Sequence, residues 1–207
     1  MFLLLFLGVV FIGVEEVGGQ TQAASFAFGS AYMSQPTGIA LDPTSRRLFV
    51  IDSAYSRILI YSSIDNITSV SNPDFVLGQS VFSPSATGIN SGLGPTQCNR
   101  SSLFFPQSLW VDASGTLWVA DTFNNRVLWW ENAAGIQGNG IAATGVVGQG
   151  GFTTQGWGTG ATELYNPSGV VVQNNILWVA DSKNSRCLHP SWRLKLTVLL
   201  QRKGPAA

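Results

Sequence analysis

Leu117-Trp-Val-Ala-Asp-Thr-Phe-Asn-Asn-Arg-Val-Leu-Trp-Trp130 is the stretch that decides the fold, because the chain contains it three times. The other two copies are Leu48-Phe-Val-Ile-Asp-Ser-Ala-Tyr-Ser-Arg-Ile-Leu-Ile-Tyr61 and Leu177-Trp-Val-Ala-Asp-Ser-Lys-Asn-Ser-Arg-Cys-Leu188. Each copy places an arginine five residues after an aspartate, in the pairs Asp52 and Arg57, Asp121 and Arg126, and Asp181 and Arg186. Self-similarity at a fixed spacing is typical of repeat architectures.

The repeat extends on both sides of this stretch. A proline begins each copy, at Pro36, Pro106 and Pro167, and the distance from proline to aspartate shrinks only from 16 to 15 to 14 residues. Two copies are followed by a further apolar run, Phe75-Val-Leu-Gly-Gln79 and Gly145-Val-Val-Gly-Gln149. Each unit therefore offers four short β runs separated by turn residues, which is the pattern of a propeller blade.

The Pro-x-Gly start, the residues 117–128 and the Val-Leu-Gly-Gln run make the chain similar to the NHL repeat family over residues 34–189. The resemblance implies an all-β propeller of four-stranded blades, with residues 25–189 forming the blades and repeats starting near 36, 106 and 167. It implies nothing about a ligand. About three blades are visible and propellers close with about four to eight, so we expect an incomplete or open ring that could self-associate.

After Arg186 the third copy loses its apolar pattern and continues into a basic tail at 190–207. Pro190 would remove a ladder donor where a strand is expected. A truncated reading frame and a genuine closing strand both fit this change. The chain is then either a binding module or a fragment of a longer receptor ectodomain.

Residues 1–24 begin with an apolar run, Met1 to Val14, that is too short to span a bilayer and fits a secretory signal peptide. A buried strand is the alternative for this segment. Asn66-Ile-Thr68 and Asn99-Arg-Ser101 are sequons for N-glycosylation. The sequence thus predicts a secreted or extracellular glycoprotein without a stable membrane span.

Charge is sparse and uneven. Only 11% of residues are charged, which disfavours a disordered chain. Residues 1–182 hold all eleven acidic residues and five of the eleven basic ones, a net charge of −6. Such a body would repel phosphate backbones, so nucleic acid is not an expected partner.

The chain offers little for catalysis. It has one histidine, His189, and two cysteines, Cys98 and Cys187, which could form one bridge or stay unlinked. We expect no metal or cofactor and no enzyme activity, because zinc sites need more such ligands. Asp42 and Asp112 could contribute to a calcium site, but Gln173 breaks their series. A propeller lyase or lactonase is the alternative from the enzyme class.

Recognition is expected where the blades differ. The repeated Asp and Arg pairs are interpreted as structural, since a side chain required by every blade serves the scaffold first. The connections 80–105 and 150–166 are long and unlike, and long loops on a rigid scaffold commonly bind ligands. Phe152, Trp157 and Tyr165 are the candidate binding residues for a protein, peptide or glycan, the alternative being that they pin the loop to its blade.

Overall fold

The computed structural model describes residues 16–17, 20–21, 28–29, 32–82 and 98–188. The strands are β1 Glu16–Val17, β2 Gln20–Thr21, β3 Pro36–Leu41, β4 Leu48–Asp52, β5 Arg57–Tyr61, β6 Phe75–Leu77, β7 Ser108–Val111, β8 Leu117–Asp121, β9 Arg126–Trp130, β10 Gly145–Val147, β11 Pro167–Gln173, β12 Ile176–Asp181 and β13 Arg186–Leu188. Short 3₁₀ turns are the helical elements of this part. None of the helices within it is long and apolar enough to cross a membrane.

Strands β3 to β6 form one antiparallel sheet in chain order, and β7 to β10 form a second. Strands β11 to β13 form a third, and β1 pairs with β2. The predicted four-stranded units are confirmed for the first two sheets. The third is described as far as its third strand, because the tail at 190–207 lies outside the described residues, as does most of the predicted signal segment 1–24.

The three sheets stack as blades. The first strands β3, β7 and β11 lie side by side, and side chains alternate between the two faces of each sheet. One core fills the space between the first and second blades, with Phe49, Ile58, Leu109 and Leu128 among its members. Another, which includes Trp118, lies between the second and third blades. Strands β4, β5, β8 and β9 are buried along their whole length because both of their faces are covered.

This arrangement is that of a β-propeller, and the all-β prediction is confirmed. Over the described residues the sheets form an open arc rather than a closed ring. The predicted self-association through such an arc stays a prediction. Sedimentation of the purified chain would test it.

The shrinking distance from proline to aspartate has its origin in the turn after the first strand. Asp42 accepts hydrogen bonds from the backbone of Thr44 at 2.9 Å, and Asp112 likewise from Ser114 at 2.8 Å. The third blade replaces this aspartate-bonded turn by a tight hairpin at residues 174–175, both asparagines with positive φ. Asparagine is favoured in such two-residue hairpins.

The Gly-Gln pair follows the fourth strand of a blade. It lies beside the hairpin that joins the second and third strands of the same blade. Gly78 has φ +87° and Gly148 has φ +90°, a region that favours glycine. A Cβ atom on Gly78 would lie 2.6 Å from the carbonyl oxygen of Ser56. The glutamine that follows bonds to the hairpin: Gln79 Nε2 donates to Tyr55 O at 3.0 Å.

Candidate functional site

The three Asp and Arg pairs each form an ion pair at the end of a hairpin. The Nε–Oδ2 distance is 3.0 Å between Arg57 and Asp52, 2.7 Å between Arg126 and Asp121, and 2.8 Å between Arg186 and Asp181. The first two pairs are fully buried, whereas the Arg186 side chain is 28% exposed. Burial raises the pKa of the Asp121 carboxyl, against the lowering influence of Arg126.

The aspartate of each pair accepts backbone N–H bonds, but from a different segment than its own turn. Its other oxygen, Oδ1, accepts from Ser34 at 3.0 Å, Phe104 at 2.7 Å and Tyr165 at 2.6 Å. Each donor lies two residues before the proline of its blade. The carboxylate makes no side-chain cap bond to the backbone of the turn that follows it.

The guanidinium of each pair binds the connection that enters its blade or leaves it. Arg126 donates to the carbonyl oxygens of Asn99 at 3.0 Å, Ser102 at 2.8 Å and Phe152 at 2.7 Å. Arg186 donates to those of Thr159, Gly160 and Glu163 at 2.6 to 2.9 Å. Each ion pair thus holds loop backbone against the blade.

The connection 150–166 is held by side-chain donors along most of its length. Cys98 Sγ lies 3.6 Å from Thr154 O, and the carbonyl oxygens of the next two residues accept from side-chain amides. Those bonds are Asn125 Nδ2 to Gln155 O at 2.9 Å, Gln149 Nε2 to Gly156 O at 2.6 Å and, beyond Trp157, Asn184 Nδ2 to Gly158 O at 2.8 Å. Bonds to backbone fix the course of the loop without using its side chains.

Trp157 projects from this fixed loop. Its side chain is 64% exposed and its ring stacks on Tyr165, with centroids 4.9 Å apart and an angle of 23°. Tyr165 is held at both backbone polar groups, since its N–H bonds to Asp181 and its carbonyl accepts from Lys183 N at 3.1 Å. We call the stacked pair Trp157 and Tyr165 the tryptophan platform.

Phe152, the third predicted binding residue, lies elsewhere. Its ring packs against the core between the first and second blades, and the Arg100 guanidinium lies 4.6 Å from the ring centroid. The structure therefore brings together two of the three candidates, and Phe152 packs as part of the scaffold.

Sequence reasoning missed a second aromatic group, at the entrance to the second blade. Phe104, Phe105 and Phe123 form a cluster with centroid separations of 5.0 to 5.7 Å, which we call the phenylalanine triad. Phe123 is 45% exposed and stacks on Phe105 at 28°. The available signal was that Phe123 stands in the hairpin position that the other copies fill with Ala54 and Lys183.

Two surface depressions of about 280 and 180 Å³ lie at the connections between third and fourth strands. They occupy matching places in the first two blades, one beside Trp130 and the other beside Tyr61, its counterpart in the repeat. Because both of these blades produce the same depression, we interpret it as a consequence of the fold that does not distinguish one blade as a site.

Other candidates from the sequence are placed as follows. Asn66 and Asn99 are both exposed. Cys98 is buried and Cys187 exposed, and both are free thiols, which settles the choice between one bridge and unlinked cysteines. Across the described residues no three His, Cys, Asp or Glu side chains gather as a metal site, and His189 lies outside those residues.

Comparison with known proteins identifies the repeat. The NHL repeat family model matches residues 164–186, which include most of the third blade. No curated protein matches the chain in sequence.

Solved structures resemble the chain at low identity. A hydrazine synthase from Kuenenia stuttgartiensis has a TM-score of 0.40 at 12% identity, and the alignment covers 70% of this chain and 29% of the synthase chain. A luciferin-regenerating enzyme has a TM-score of 0.42 at 14% identity, and the alignment covers 82% of this chain and 46% of the enzyme. A gluconolactonase from Xanthomonas campestris has a TM-score of 0.39 at 14% identity, and the alignment covers 71% of this chain and 35% of the gluconolactonase. The chain spans less than half the length of each.

Proposed function

We propose that this chain is a non-catalytic propeller module that binds a protein, peptide or glycan through the connection 150–166. The observation that carries the proposal is the tryptophan platform: a stacked aromatic pair on a loop whose backbone is fixed by side-chain donors, with Trp157 64% exposed. A pre-organised aromatic surface loses little conformational entropy on binding. Aromatic residues also dominate the energetics of recognition surfaces.

The non-catalytic part of the proposal is supported by the uses that the carboxylates already have. Asp52, Asp121 and Asp181 each pair with an arginine, while Asp42 and Asp112 bind turn backbone. A general acid or base needs a carboxyl group that can reach a substrate. In these five residues the carboxylate oxygens are committed to the fold.

Binding is tested with arrays of peptides and oligosaccharides probed by the full chain. The Trp157→Ala variant should lose about tenfold or more of the affinity for any ligand found, the size of an interface hot spot. Ile141→Ala is the matched control, because Ile141 is 40% exposed at the opposite end of the blades, in the connection between β9 and β10. Unchanged affinity of Trp157→Ala for every ligand would reject the platform as the binding site.

We also propose that the module is exported and glycosylated. Support comes from the apolar segment within residues 1–24 and from the exposed positions of Asn66 and Asn99. Expression in a secretory eukaryotic host should place the protein in the medium, with a mass that falls on endoglycosidase treatment. Retention inside the cells without a mass change would contradict export.

A further inference from the structure

The tryptophan platform and the phenylalanine triad lie at the same end of adjacent blades. Phe104 and Tyr165 occupy equivalent positions, since each donates its N–H to the aspartate of its blade. Each also accepts, at 3.1 Å, the backbone N–H of the second hairpin residue, Phe123 or Lys183. The two aromatic groups are therefore neighbours on one surface.

Phe105 is held in a backbone conformation that does not suit it. Its φ is +48°, the same value as at Asn166, which follows Tyr165 in the third blade. Asparagine tolerates this left-handed region well, whereas a bulky aromatic residue is an outlier there. In this backbone conformation the Phe105 ring stacks on the exposed ring of Phe123. Backbone strain of this kind clusters at functional sites.

Several polar side chains beside the two groups are bonded to the protein. Glu163 accepts from Gly160 N at 2.9 Å and Asn184 donates to Gly158 O, both beside the tryptophan platform. Beside the triad, Gln107 donates to the Ser53 hydroxyl at 2.9 Å. Saccharide recognition combines ring stacking with hydrogen bonds to hydroxyl groups, and Asn184 already gives its amide hydrogens to Gly158 O and Asp181 Oδ2. Apolar rings need no such bonds.

Building on the proposed function, we infer that the phenylalanine triad is a second binding station and that the ligand is a polypeptide segment. That segment carries two proline or aromatic side chains and crosses from one blade to the next. One ring packs on Trp157 and the other on Phe123. An extended peptide suits two stations on adjacent blades, because its backbone can run between them while alternate side chains reach the surface.

The test pans a random peptide library against the full chain and measures the affinity of the selected peptides by calorimetry. We expect peptides with two proline or aromatic residues. Phe123→Ala and Trp157→Ala should each weaken binding about tenfold. Phe105→Asn installs the residue that the third blade uses at the same φ, so it removes the ring with the backbone conformation retained. Ile141→Ala should bind as the wild type does.

The outcomes separate the two proposals. Peptides weakened by Trp157→Ala but indifferent to Phe123→Ala and Phe105→Asn would overturn the second station and leave the proposed function standing. Binding of oligosaccharides in place of peptides, still sensitive to Trp157→Ala, would overturn the ligand class alone. A chain that selects no peptide and binds no oligosaccharide, or whose binding ignores Trp157→Ala, would overturn both.

Discussion

Arg126→Met should strongly destabilise the protein. The guanidinium makes four hydrogen bonds, to Asp121 and to the carbonyl oxygens of Asn99, Ser102 and Phe152, and both members of the ion pair are fully buried. Methionine fills most of the space but leaves the Asp121 carboxylate buried without a counter-charge. Removing one partner of a buried pair costs about 3–5 kcal/mol of the free energy of unfolding.

The third blade provides a matched control for this substitution. Arg186 likewise pairs with its aspartate and binds three carbonyl oxygens, two of them at positions equivalent to Asn99 and Ser102, but its side chain is 28% exposed, so water can replace part of what the guanidinium supplies. Arg186→Met should therefore cost less, about 1–2 kcal/mol. The double variant Asp121→Asn with Arg126→Met should be more stable than Arg126→Met alone, because no unpaired buried charge remains.

Urea unfolding followed by tryptophan fluorescence measures these changes. With a slope of about 3 kcal/mol per molar urea, Arg126→Met should lower the midpoint by about 1 M or more at unchanged slope. The reasoning is refuted if Arg126→Met and Arg186→Met cost the same. A cost below about 1 kcal/mol for Arg126→Met, or additive losses in the double variant, would refute it equally.

Three further predictions use the same protein. Cys187 is exposed, whereas burial raises the pKa of the Cys98 thiol; a thiol reagent should modify Cys187 quickly and Cys98 only on unfolding, and equal rates would contradict this. Burial also raises the pKa of Tyr61. Since its proton is held more tightly in the folded state, stability should fall as the pH rises above about 10, the unfolded value. Tyr61→Phe should reduce that fall, and an unchanged pH dependence of the urea midpoint would count against it. Gly78→Ala should lower the free energy of unfolding by at least about 1 kcal/mol, because its Cβ would lie 2.6 Å from Ser56 O. An unchanged urea midpoint would show that the hairpin shifts to make room for the Cβ.

Much of the fold could be predicted because the repeat is written in local patterns. The apolar run before Asp121 and the one after Arg126 give two strands, and the residues between them are enough for a turn. The Val-Leu-Gly-Gln element gives the fourth strand by the same logic. A short apolar run bounded by turn residues indicates a buried strand without knowledge of distant residues.

The partners of the buried charges could not be read in this way. Phe104 N–H, which binds Asp121, lies 17 residues upstream, and the carbonyl of Phe152 lies 26 residues beyond Arg126. These distances along the chain run through irregular connections, which have no periodicity to follow. Composition indicated the loop as a candidate but could not tell Phe152, which packs on the core, from Trp157, which is exposed.

The Asp and Arg ion pairs also explain why the side chains of the connections can differ from blade to blade. Arg126 and Arg186 hold the connections through carbonyl oxygens, which every amino acid provides, so anchoring does not constrain the side chains of the loop. A Trp at 157 or a Phe at 123 can therefore be exchanged without loosening the backbone that presents it. The fold does not require a particular side chain at such positions. An exposed aromatic ring there lowers solubility unless a ligand covers it. That is the physical reason to look for function at Trp157 and Phe123 rather than at the repeated charges.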